Sequence, residues 1–141
     1  MSALTVTRSL AATTERVWDI LGDPATSPGP GVNVTVERAG AADGTGLIRV
    51  VRLGRGSFRE EITSVGPGYA LGYRLLSGAP VRDYTGAVTL HESGEGGTVV
   101  RWSVSFRPSI PGSGPLVSFL TKRSVRRVLD SLDARTRMSP P

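Results

Sequence analysis

The sequence predicts an α+β fold in which seven antiparallel strands are closed by one long C-terminal helix. Three observations carry this. Residues 32 to 106 alternate apolar and polar side chains in six runs separated by Gly-, Pro- and Asp-containing turns, the pattern of strands joined by hairpins. A further alternating run opens the chain from Leu4 to Leu10, set off by a short amphipathic stretch. From Leu116 to about Arg135 the period becomes helical, with Val117, Leu120, Val125, Val128, Leu129 and Leu132 on one side.

Taken in order, Leu4, Val6 and Leu10 alternate with Thr5, Thr7 and Ser9, while Arg8 interrupts the apolar set. Thr13 or Thr14 can cap the next segment and Glu15 suits the positive end of a helix dipole. Val17, Trp18, Ile20 and Leu21 give that helix its apolar stripe, and Gly22 before Asp23-Pro24 ends it. Pro28-Gly29-Pro30-Gly31 then forms a stiff loop that is neither helix nor inner strand. Strands follow at Val32 to Glu37, Gly46 to Leu53, Ser57 to Val65, Tyr69 to Leu76, Val81 to His91 and Thr98 to Phe106. Their separators, among them Asp43-Gly44, Gly54-Arg55-Gly56 and Gly66-Pro67-Gly68, are too short for parallel crossovers, so the strands form an antiparallel meander.

Alternate residues of a strand share a face, so phase sorts the inward side chains. Val100, Trp102, Val104 and Phe106 form one set; Tyr69, Leu71, Tyr73 and Leu75 a second; Arg82, Tyr84, Gly86, Val88 and Leu90 a third; Phe58, Glu60 and Ile62 a fourth. Two of these sets contain a charge. Aromatic and polar groups interleaved on the concave side of a sheet are what a small-molecule pocket requires, and the same periodicity also fits a filled core. Gly86 either leaves room for a ligand or marks a bend in its strand. Glu60 and Arg49, which falls between Leu47 and Val51, both point inward. A hairpin centred near Arg55 places residue 49 opposite residue 60 or 61, so the two can pair across the ladder, and the guanidinium would hold the carboxylate ionised against desolvation.

Composition excludes several function classes. The chain has 141 residues, one His and no Cys, so no thiolate zinc site, thiol nucleophile or His pair for a metal can be built. Scaling of surface with mass leaves roughly 7,000 Å² of about 21,000 Å² exposed on folding, enough burial for one core without disulfides or metal. No stretch approaches the roughly 18 apolar residues of a membrane span, and the N-terminus shows no secretory signal, so a cytoplasmic protein with no transmembrane segment is expected. Gly44-Thr45-Gly46 and Gly54-Arg55-Gly56 lack the third glycine of a dinucleotide loop. His91 stands at a strand end before a turn, a solvated position.

Basic residues number 17 against 12 acidic, and residues 111 to 141 hold 6 of the former and 2 of the latter. Lys122, Arg123, Arg126 and Arg127 flank the apolar stripe, with Asp130 four after Arg126 and Arg137 four after Asp133, the arrangement of a solvated helix face with i,i+4 pairs. No strand interleaves basic and aromatic residues as RNA-binding sheets do, so no nucleic-acid partner is expected.

The order strand, short helix, six strands, long helix, carried by ATTERVWDILGD, GTGLIR, REEI, LGYRL, APVRDYTGAVTL and GTVVRWSVSF, resembles the polyketide cyclase/dehydrase and lipid-transport branch of the START-like (SRPBCC) superfamily over nearly the whole chain. The resemblance implies one START-like domain over residues 1–141 with a helix-grip fold, a seven-stranded antiparallel sheet wrapped around the last helix with a cavity for an apolar or amphipathic ligand. Arg49, Glu60, Tyr73, Arg82, Tyr84 and Trp102 sit where the family pattern has recurring residues, and they stand as pocket candidates with Val117, Leu120 and Val128 of the helix. The family often carries a Trp soon after the first helix, where this chain has Ser27-Pro28-Gly29-Pro30-Gly31. The expected function is binding of a lipid-like or polyketide-like molecule, as carrier or sensor, without cofactor or metal. The alternatives are a cyclase or dehydratase, in which Glu60, Tyr73 and Tyr84 would move protons, and a protein-interaction module such as a toxin–antitoxin partner.

Overall fold

Short connections dictate that consecutive strands become neighbours, and from the second strand onward they do. The structure, a computed structural model, describes residues 2–138 without the Met138 side chain; the two ends of the expected 1–141 domain lie outside the described residues. β1 (Ser2–Leu10) leads into α1 (Thr14–Leu21), then β2 (Val32–Arg38), β3 (Ile48–Leu53), β4 (Gly56–Val65), β5 (Ala70–Ser77), β6 (Val81–Glu92), β7 (Thr98–Pro108) and α2 (Gly114–Met138). All seven strands form one antiparallel sheet in the order β1-β7-β6-β5-β4-β3-β2. This is the helix-grip arrangement expected from the sequence.

Thr13 is the residue that caps α1, its hydroxyl accepting from the Arg16 amide at 3.2 Å. The chain entering α1 is pinned from below by Thr98, which is fully buried and donates to the Ala12 carbonyl at 2.8 Å. Replacing Thr98 by Val keeps the shape and strands that carbonyl. A loss of about 1–3 kcal/mol is expected, read from urea unfolding; an unchanged midpoint would mean that water reaches Ala12.

α2 packs closely on β1 and β7, burying Val117, Val125, Leu129 and Leu132. Arg8, the residue that interrupts the apolar set of β1, reaches α2 and pairs with Asp130 at 2.6 Å and with Asp133 at 3.7 Å. Asp130 therefore serves the sheet and not Arg126 of its own helix, whereas Asp133 and Arg137 do form their i,i+4 pair. Leu120 departs from the expected sheet-facing position and is 47% exposed. It lies at the margin of the apolar stripe, where α2 spans the opening of a cavity instead of resting on a strand.

Two expected inward residues face elsewhere. Arg82 is exposed because β6 carries a bulge: Arg82 opposes Arg107 and Thr85 opposes Ser105, so Asp83 and Tyr84 together stand opposite Phe106. Asp83 absorbs the extra residue with φ of +52°. A bulge reverses which residues face in, so Tyr84 keeps its inward position and Arg82 joins the wet face with Arg107. Tyr69 precedes β5, has φ of +59°, and packs its ring edge-on against Trp18 instead of following Leu71 inward.

Candidate ligand cavity

The buried apolar residues form two clusters, with half-buried Val128 packed against both. Most core residues form one cluster between β1, β5 to β7, α1 and α2, while Val32, Val51 and Leu53 form a second. A domain of this size normally has one contiguous core. What separates the two is a cavity of about 360 Å³ between α2 and the β2–β5 half of the sheet, touched by Val51 and Leu53 on one side and Leu71, Tyr73 and Val88 on the other. That volume lies within the range of small-molecule sites.

The polar part of the lining starts from the hairpin β3–β4. Its two-residue turn, Gly54-Arg55, sets the register so that Arg49 stands directly opposite Glu60. The Arg49 Nε donates to Glu60 Oε1 at 3.1 Å and Nη2 lies 3.0 Å from the same oxygen. Nη1 donates to the Pro24 carbonyl at 3.0 Å, tying the loop after α1 to the sheet. Both side chains are about seven-eighths buried, at 14% and 13% exposure. The pairing expected from the register is present, but its electrostatic result differs: burial raises the Glu60 pKa above the ordinary 4.5 and outweighs the lowering by Arg49. The carboxyl is thus easier to protonate than a solvated one.

Above this pair lies an aromatic group. The Trp102 indole donates to the Tyr73 hydroxyl at 3.0 Å, with the two rings edge-on at 6.2 Å. Tyr84 lies 6.3 Å from Tyr73 and stacks on Phe106 at 6.1 Å. Burial is the main reason that the Tyr84 phenol is pushed up to about 12 and that of Tyr73 is raised well above its ordinary 10, and the nearby Glu60 carboxylate opposes ionisation of both. Both tyrosines therefore stay neutral, and both line the cavity.

Of the residues singled out from sequence, Arg49, Glu60, Tyr73, Tyr84, Trp102, Val117, Leu120 and Val128 all border this one cavity, and Arg82 does not. Leu120 lies at its mouth, Val117 is buried and Val128 half-buried. Gly86 keeps its inward phase but offers no room: a Cβ there would lie 2.3 Å from Tyr73 Cζ, because Tyr73 is its partner across the ladder and the ring fills the gap. His91 is exposed at the end of β6. Sequence reasoning missed Ile110, which precedes α2 and carries no periodic signal, and Leu116 on the first turn of α2; both border the cavity. It also missed Pro28, which reaches the cavity from the loop lacking the family's frequent Trp.

Comparison with known proteins agrees with the fold. The structure is similar to XoxI from Bacillus cereus (TM-score 0.79, 18% identity, covering 96% of this chain and 95% of that one). It is also similar to a START superfamily protein from Mycobacterium smegmatis (TM-score 0.78, 15% identity, 96% and 97% covered). A third similar structure is norcoclaurine synthase from Thalictrum flavum, solved with dopamine and hydroxybenzaldehyde (TM-score 0.77, 13% identity, 99% and 88% covered). At such identities the likeness is one of fold. A search of curated proteins returns no match. The family model described as polyketide cyclase / dehydrase and lipid transport matches residues 1–137. Sheet, closing helix and sequence pattern thus agree along almost the whole length, and the chain belongs to the polyketide cyclase / dehydrase and lipid transport family.

Proposed function

We propose that residues 1–141 act as one START-like domain that binds a single amphipathic small molecule, as carrier or sensor. The observation that carries this is the unfilled cavity of about 360 Å³ between two apolar clusters, with one compact polar group, Arg49, Glu60 and Tyr84, in its wall. An apolar body would lie along Val51, Leu53, Leu75 and Val128, and a hydroxyl or carbonyl end would meet the polar group. Such a division, mostly apolar with a few convergent polar atoms, orients a ligand while desolvation supplies the affinity.

The test is titration with a fluorescent fatty acid. Leu75→Trp, which fills the cavity, is expected to abolish binding, and Tyr84→Phe to weaken it about two- to tenfold, the worth of one hydrogen bond. Retained affinity in both folded variants would sink the reading.

One observation favours a second reading. Glu60 is a carboxyl with a raised pKa beside two neutral phenols in an apolar space, a group that holds a proton more readily than a solvated carboxyl and so can donate one to a bound substrate. A cyclase or dehydratase acting on a polyketide-like substrate would use it so. Glu60→Gln would then remove turnover and leave ligand affinity in place, whereas for a carrier there is no turnover to lose.

A further inference from the structure

We propose that the N-terminal half of α2 docks the chain on an anionic lipid bilayer, with the cavity mouth turned toward the lipid. Four large apolar side chains stand exposed together at this end of the molecule: Ile110 at 55%, Leu116 at 60%, Phe119 at 61% and Leu120 at 47%. Leu116, Phe119 and Leu120 are spaced three and four residues apart on the first turns of α2, and such spacing puts them on one face. Ile110, Leu116 and Leu120 also border the cavity, so the apolar tip is the rim of its opening.

Cations follow on the same face. Arg123 is four residues from Phe119 and seven from Leu116, Arg127 is seven from Leu120, and Arg126 is seven from Phe119. All three are exposed, and among the described residues none of them forms an ion pair. Arg127 lies over the β3–β4 turn, its Nη1 2.6 Å from where a Cβ of Gly54 would sit, next to the exposed Arg55. The acid on this face, Asp130, is held by Arg8.

An apolar tip bounded by unpaired guanidiniums matches the cross-section of a bilayer surface, acyl chains first and anionic headgroups outside them. The long arginine side chains can reach the headgroups while the leucines and Phe119 enter below. A second copy of this chain fits the surface poorly, since it would bring the same cations against these. A nucleic acid would leave the apolar tip exposed. The inference does not depend on what the cavity holds.

The experiment is flotation of the full chain with vesicles of phosphatidylcholine alone, or containing about 30% phosphatidylserine. Binding to the anionic vesicles is expected to exceed binding to the neutral ones at least about tenfold and to weaken with salt, because each cation near such a surface contributes about fivefold. Arg123→Glu with Arg126→Glu should abolish that preference. Leu116→Ser with Phe119→Ser should weaken binding at every salt concentration, with an unchanged melting temperature since these side chains are exposed. Emission of a Phe119→Trp variant should shift to the blue on anionic vesicles. Equal binding to both vesicle types, insensitivity to both pairs of substitutions, or an unshifted emission overturns the proposal. So does self-association without vesicle binding that the Leu116→Ser, Phe119→Ser variant removes, which would make this face a contact between copies.

Discussion

Arg49→Met is expected to destabilise the fold by about 3–5 kcal/mol at neutral pH, the cost of leaving one member of a buried pair without its partner. The loss should grow with pH. Glu60 has a folded pKa above 4.5, so as pH rises past the unfolded value the unfolded chain sheds this proton before the folded one does. In that window the folded state binds more protons, and stability falls as pH rises. The contribution of Glu60 is therefore most favourable at low pH and declines from about 4.5 up to the folded value. Arg49 lowers that value by its charge and by its hydrogen bond. Removing it moves the folded pKa further up and extends the declining window toward neutrality. Below the window both states carry a neutral Glu60, and only packing and the bond to the Pro24 carbonyl are lost. Adding Glu60→Gln should recover most of the neutral-pH loss, because the amide has no charge to desolvate. Urea unfolding of the four species across a pH series measures the coupling. A pH-independent deficit in Arg49→Met would show that Glu60 is solvated in the folded state.

Gly86→Leu is expected to cost more than about 3 kcal/mol, above the usual range for an overpacked core. The first added carbon would already lie 2.3 to 2.5 Å from two ring carbons and the hydroxyl oxygen of Tyr73. Tyr73 is 3% exposed and accepts a hydrogen bond from Trp102, so its ring can withdraw only toward the cavity and at the expense of that bond. The effect should be shared: in a Tyr73→Ala background, Gly86→Leu should be markedly less damaging, with a coupling of about 0.5–3 kcal/mol. Additive losses in a thermal or urea melt would place the ring elsewhere. The substitution therefore reports on packing, and cavity-filling tests belong at Leu75, which lines open space.

Sequence periodicity reached unequal depths in this chain. Arg49 and Glu60 were readable as a pair because a two-residue turn leaves almost no freedom of register. Arg82 was misplaced by the same method, since parity counting assumes an unbroken ladder and the extra residue at Asp83 reverses it. Asp tolerates positive φ, yet an Asp inside an alternating run does not by itself announce a bulge. Gly86 shows a different limit. Its face was correct, but whether it bounds empty space depends on the residue across the ladder, and Tyr73 could be named as that partner only once β5 and β6 were aligned. On α2, Leu120 and Leu132 read alike as members of one stripe; a helix period cannot tell a side chain packed on β-strands from one that roofs a cavity.

The pairing of β1 with β7 bears on the order in which the chain can assemble. Ser2 pairs with Phe106 and Leu10 with Thr98, whereas β2 to β6 each pair with the strand that follows directly. Within this sheet the first strand synthesised is the one whose partner arrives last, and Leu4, Val6 and Leu10 stay without a ladder through that interval. Hairpins in the meander close short loops, while joining β1 means closing one that holds the rest of the sheet, an entropy to be met before any contact is gained. The anchor from Arg8 to Asp130 and Asp133 waits longer still, for α2. Docking of the N-terminal strand is accordingly expected to be the slow step of folding, and the unpaired edge it leaves behind on β7 the segment most in need of protection until then.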